Sequence, residues 1–123
     1  MSAEILNASL VEIAEAIRRK DFSSVEVVRA SIARAESLQP VLNCFIPLLG
    51  DEALADAKQA DAELARGELR GPLHGVPLAH KDMYYRAGKR STCGSKIRKD
   101  YIADHDSTAL KRLLDAGSIY LGG

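Results

Sequence analysis

The chain has 123 residues, 17 acidic and 17 basic side chains, and a formal net charge of zero. It is 46% hydrophobic and 28% charged, which excludes a disordered segment of low hydrophobicity and high net charge. The balance also leaves no global positive field for nucleic acid or an anionic membrane. No run approaches the ~20 apolar residues of a membrane span. The N-terminus, MSAEILNASLVEIAEAIRRK, has an early Glu and no apolar block, so no signal peptide is expected. Cys44 and Cys93 fall in no pairing or metal spacing and are expected to be reduced thiols in a cytoplasm.

Ser9 followed by Glu12 is a capping box, in which each side chain satisfies an orphan backbone donor. Leu10, Ile13, Ala14 and Ile17 then make one apolar face, and Arg18 to Lys20 suit the negative end of the helix dipole. Ser23 and Glu26 form a second capping box. Val25, Val28, Ile32 and Ala35 continue it as a stripe, with Pro40 expected to end the helix. The two helices read as a hairpin over residues 1–40. Asn43 to Leu49 is a short apolar run expected to be a strand, at an edge or interrupted because of Pro47. Asp51 to Arg66 is alanine-rich and helical, with Gly67 just past its end.

Gly71-Pro72 marks a loop. Val76 to His80 reads as a strand buried on both faces, with Lys81-Asp82 at its C-terminal end. Met83 to Asp104 shows no period and is expected to be a long irregular loop of the kind that is often functional. Asp106 is expected to cap a further helix with Ala109, Leu110, Leu113 and Leu114 on its face and Gly117 at its close. Ser118 to Leu121 is a last strand. Alternating elements of this kind predict an α/β fold with a mixed or parallel sheet. Only about three strands are present against roughly five or six in an ordinary sheet, so the sheet is expected to be incomplete.

Lys81 is the residue that points to chemistry. It follows five mostly apolar residues at a strand end, where desolvation would favour the neutral, basic amine. The free side chain, at ~10.4, is no base at neutral pH. Strand alternation turns Asp82 to the opposite face, where it is expected to make its own hydrogen bonds. The other polar residues carry less. Ser91 and Ser95 lie in a turn-like stretch where hydroxyls bond local backbone, and Ser107 sits in the first turn of a helix. His74, His80 and His105 have no metal-ligand spacing. Asp104-His105-Asp106 suits a helix start. Cys93 has no signature of a reactive thiol. Arg86, Lys89, Arg90, Lys96, Arg98 and Lys99 are expected to form a solvated loop face.

The segment Gly71-Pro72-Leu73-His74-Gly75-Val76-Pro77-Leu78-Ala79-His80-Lys81-Asp82 resembles the first signature of the amidase-signature hydrolases, a group that includes one of the subunits of tRNA-dependent amidotransferases. Val41 to Ile46, Arg90 to Ser95 and Asp106 to Gly122 resemble the flanking parts of that family, in order and with family-like spacing. The resemblance implies a mixed β-sheet covered by helices, of which residues 1–123 form the N-terminal fragment of a single domain, with 41–123 as the start of the α/β core. It implies a Ser–cis-Ser–Lys triad with Lys81 as the lysine. The substrate would be a small carboxamide in a cytoplasmic enzyme that needs no metal or organic cofactor.

The resemblance also says what is missing. No Gly-Gly-Ser-Ser-Gly-Gly-like run occurs in the 123 residues, so both serines and the oxyanion loop would lie elsewhere. The chain alone is expected to show no turnover. Met83-Tyr84-Tyr85 departs from the commonest family pattern, in which Asn follows Lys-Asp, and argues against the tRNA-linked subunit. Two alternatives remain: the N-terminal part of that tRNA-linked protein, or a non-catalytic module that self-associates into a homo-oligomer. No nucleic-acid or membrane partner is expected.

Overall fold

The computed structural model describes residues 3–123. Helix α1 (Ala3–Asn7), which the sequence pattern did not single out, leads into α2 (Leu10–Arg18). Both capping boxes form. Ser9 Oγ accepts from the Glu12 amide at 3.3 Å while the Glu12 carboxylate accepts from the Ser9 amide at 2.7 Å. Ser23 and Glu26 repeat this at 3.1 and 2.8 Å at the start of α3 (Ser24–Leu42). Pro40 does not end α3. It sits inside the last turn, where its missing N–H costs a single helical bond. The stop comes at Asn43, whose left-handed backbone (φ 46°) a short polar side chain tolerates.

Helix α4 (Gly50–Ala65) ends as its composition predicts. Gly67 (φ +77°) donates to Leu64 O at 3.0 Å and Glu68 to Glu63 O at 2.9 Å, the paired bonds of a Schellman motif. The segment between α3 and α4 is not a strand. It touches the sheet edge through the single bridge Leu48↔Gly122 and three backbone bonds: Ile46 N to Gly123 O, Leu49 N to Leu121 O and Gly123 N to Pro47 O. Pro47 has no amide hydrogen to extend that ladder.

Among the described residues the sheet has two strands, β1 (Pro77–Ala79) and β2 (Ile119–Gly122), paired in parallel with Pro77 opposite Ile119 and Leu78 opposite Tyr120. Parallel strands require a crossover. Here it is the Met83–Asp106 segment, with one short 3₁₀ turn at Lys96–Arg98, followed by helix α5 (Thr108–Asp115). Ser107 caps α5, its Oγ accepting from the Leu110 amide at 3.4 Å. Asp106, the cap expected from sequence, instead accepts the Ala87 amide at 2.7 Å and pins the crossover loop. The fold is thus an α/β unit with an incomplete sheet.

Adjacent residues of α3 serve two cores. Val28 and Ile32 pack with Ala53, Ala57 and Ala60 of α4 and with Ile119 and Leu121 of β2. Val27 packs with Ile5, Ile17 and Val76. The small side chains of α4 let α3 and β2 approach it closely. Full burial of Ile17, Val27 or Ile119 contributes about 2 kcal/mol each. One polar tie links these layers to the chain that leads into β1 and on to Lys81. Asp61 of α4 accepts the Ser24 and Val25 amides at 2.7 and 3.0 Å, and Ser24 Oγ donates to Gly75 O at 2.6 Å. Gly75 (φ +77°) has no room for a side chain, since a β-carbon there would lie 2.9 Å from Ser24 Cβ. The chain then passes directly into Val76 and β1.

Candidate active site

β1 and β2 end side by side, and the chain beyond β1 carries Lys81. Crevices at the carboxyl ends of parallel strands are the usual place for ligands in open α/β sheets. Here Lys81 lines a groove of about 680 Å³ whose walls include Phe45, Ile46, Met83, Cys93, Gly94 and Gly123. The groove therefore gathers separate stretches of chain around one amine.

The expected desolvation of Lys81 is not supplied by these residues, because its side chain is exposed. The reason is the sheet. β1 pairs with β2 along one edge only, and its residues run half-buried, half-buried, exposed, so the strand is not covered on both faces. Asp82 makes hydrogen bonds of its own, as expected, but from a turn beyond β1 rather than through strand alternation. It is buried, and its Oδ2 accepts from the Thr92 amide at 3.0 Å and the Thr92 hydroxyl at 2.6 Å.

The remaining candidates have structural employment. Ser91 is buried and donates to Asp82 O at 3.0 Å, a non-local contact rather than the local one expected. Ser95 Oγ accepts the Ile97 amide at 3.3 Å at the start of the 3₁₀ turn. His74 is buried, with Nδ1 accepting the Arg70 amide at 3.1 Å and Nε2 at 2.8 Å from Ala60 O, which fits a neutral ring protonated on Nε2. His105 meets Asp104 at 2.6 Å. Cys44 and Cys93 are both exposed along the groove.

The basic loop is not simply a solvated face. The Arg86 guanidinium lies 4.5 Å from the Tyr120 ring centroid, and His80 stacks on the same ring at 4.6 Å. Burial pushes the Tyr120 phenol above its ordinary 10.0, with Arg86 acting in the opposite direction. Arg98 lies 4.2 Å from the Tyr101 ring and donates to Tyr85 Oη at 2.6 Å; Lys89 pairs with Glu52. These tyrosines order the crossover loop, a role that charge counting along the sequence did not reveal.

A family model described as Amidase matches residues 26–123. The chain belongs to the amidase family. It is 46% identical over 114 residues to the A-type subunit of glutamyl-tRNA(Gln) amidotransferase from Azotobacter vinelandii, covering 93% of this chain and 23% of the relative. Among solved structures, fatty acid amide hydrolase superposes with a TM-score of 0.91 at 28% identity, over 97% of this chain and 21% of that one. A bacterial aryl acylamidase of the amidase-signature enzymes gives 0.87 at 33% identity, over 94% and 24%. The amidase-signature fold is therefore present, and the chain spans about a quarter of the length of the relatives it matches. No helix among the described residues is long and apolar enough to cross a membrane.

Proposed function

We propose that this chain supplies the lysine of a Ser–cis-Ser–Lys amide hydrolase, with Lys81 as the proton acceptor. The observation that carries this reading is the position of Lys81 at the open, carboxyl end of two parallel strands, in a groove, within an amidase-family chain. Both serines come from outside these 123 residues. Packing of that further part of the protein over the groove takes Lys81 out of water, the setting in which an amine serves as a base. The neutral amine then takes a proton from the bridging serine as that serine takes one from the nucleophile. Attack on the carboxamide carbon gives a tetrahedral adduct; the proton held on the lysine passes back through the bridging serine to the nitrogen, which leaves as ammonia or an amine, and water hydrolyses the acyl-enzyme.

The curated sequence relatives favour one substrate setting over the free-standing amidase that the residues after Lys81 suggested. The glutamyl-tRNA(Gln) amidotransferase relatives reach 46% and 42% identity, whereas the amidase structures described above lie at 28% and 33%. We therefore place the chain in the ammonia-releasing component of a cytoplasmic tRNA-linked complex, acting on a carboxamide. Met83-Tyr84-Tyr85 keeps a free-standing amidase as the second reading. The test is ammonia release by the protein that carries this chain, isolated with any partners. Turnover of glutamine that depends on glutamyl-tRNA supports the first reading; turnover of simple aliphatic or aryl amides without tRNA supports the second. Turnover of neither overturns both.

A further inference from the structure

We propose that Asp82 and Thr92 form a positioning pair that sets the place of Lys81 relative to the opposite wall of its groove. The inference rests on the amidase reading of Lys81 and extends it to two residues that do not themselves accept the proton. Four hydrogen bonds run from three consecutive residues onto Asp82. Thr92 donates its amide and hydroxyl to Oδ2 at 3.0 and 2.6 Å, while Ser91 Oγ and the Cys93 amide donate to the Asp82 carbonyl at 3.0 and 3.2 Å. Thr92 Oγ1 in turn accepts the Gly94 amide at 3.1 Å. One relay of donors thus runs from Gly94 through Thr92 to Asp82, all of it around a buried carboxylate.

The geometry gives this relay a purpose beyond holding the loop. Lys81 and Asp82 open a turn beyond β1, which the Tyr84 amide closes onto the Lys81 carbonyl at 3.1 Å. Fixing Asp82 inside that turn fixes the backbone from which the neighbouring Lys81 side chain leaves. The same clamp sets Cys93 (φ +52°) and Gly94 (φ +68°) in left-handed conformations, and both line the groove beside Lys81. The clamp therefore sets the distance between the amine and the wall that faces it. A base displaced by about 1 Å loses on the order of a hundredfold in rate.

The test uses the protein that carries this chain, with amide hydrolysis as the readout and three variants. Lys81→Ala is the reference and should abolish turnover. Thr92→Val keeps the shape and deletes the hydroxyl. It is expected to lower kcat by roughly ten- to a hundredfold and to leave KM within about twofold, because ground-state binding is not its role. Thr92→Ser, which restores the hydroxyl, is expected to recover most of kcat. An inactive Lys81→Ala beside a Thr92→Val of normal kcat overturns the positioning pair and leaves the amidase reading standing. A Thr92→Val whose loss falls on KM, or is not recovered by Thr92→Ser, also overturns it. An active Lys81→Ala overturns both.

Discussion

The carbonyl oxygen of Pro47 stands 2.1 Å from the point where a β-carbon on Gly122 would lie. The obstacle is backbone, and Gly122 also has φ +147°, so no rotamer change relieves it. That close approach lets the Phe45–Leu49 segment close the edge of β2 beside the Lys81 groove. Gly122→Ala is predicted to destabilise the protein by about 3 kcal/mol or more, from overpacking and backbone strain together. Gly88 (φ +76°) has open space around it, so Gly88→Ala should cost only about 1 kcal/mol. Urea unfolding midpoints check both; equal costs would contradict the packing argument.

Asp61 caps α3 from another helix, through the Ser24 and Val25 amides. Asp61→Ala leaves two helix-start donors without their acceptor and is predicted to cost about 2 kcal/mol. Asp61→Asn keeps one acceptor oxygen and should cost about half as much. An unchanged unfolding midpoint for Asp61→Ala would show that solvent replaces the cap.

The Arg70 guanidinium holds the Glu63 carboxyl below its ordinary 4.5 through bonds of 2.7 and 2.9 Å, with Gln59 adding one at 3.1 Å. A carboxyl whose folded value is depressed binds its proton more readily when unfolded, so its stabilisation is present in full above the unfolded value. It is lost as pH falls from about 4.5 through the lowered folded value. Glu63→Gln should therefore destabilise the protein at pH 7, and the gap should close in acid. The check is a pair of thermal melts at the two ends of that window. A gap that persists unchanged at the acid end would remove the ion pair as its cause.

Much of the helical part was legible because its signals are local. Ser9 with Glu12 and Ser23 with Glu26 specify their helix starts within three residues, and Gly67 and Gly117 mark helix ends by a conformation few other residues adopt. The errors fall where the outcome depends on distant partners. Whether Asn43–Leu49 becomes a strand depends on β2, far along the chain, and on the amide that Pro47 lacks. Val76–His80 looks like a doubly covered strand by hydrophobicity, yet its exposure is decided by the single neighbour it pairs with. Asp106 and Ser107 are both good caps, and Ala87 claims the first. The position of Lys81 after the apolar run was readable; the Asp82–Thr92 bond beside it was not, because an irregular stretch of loop separates the partners.

The most direct measurement is amide hydrolysis by the protein that carries this chain, with Lys81 intact, as Lys81→Ala and as Lys81→Arg. Arg retains the charge but cannot give up its proton. Both variants are predicted to lose turnover by at least about a hundredfold, the scale of a general base, while folding as the wild type does. A Lys81→Arg variant with normal kcat would show that position 81 supplies charge or packing rather than a proton acceptor, and would contradict the central claim.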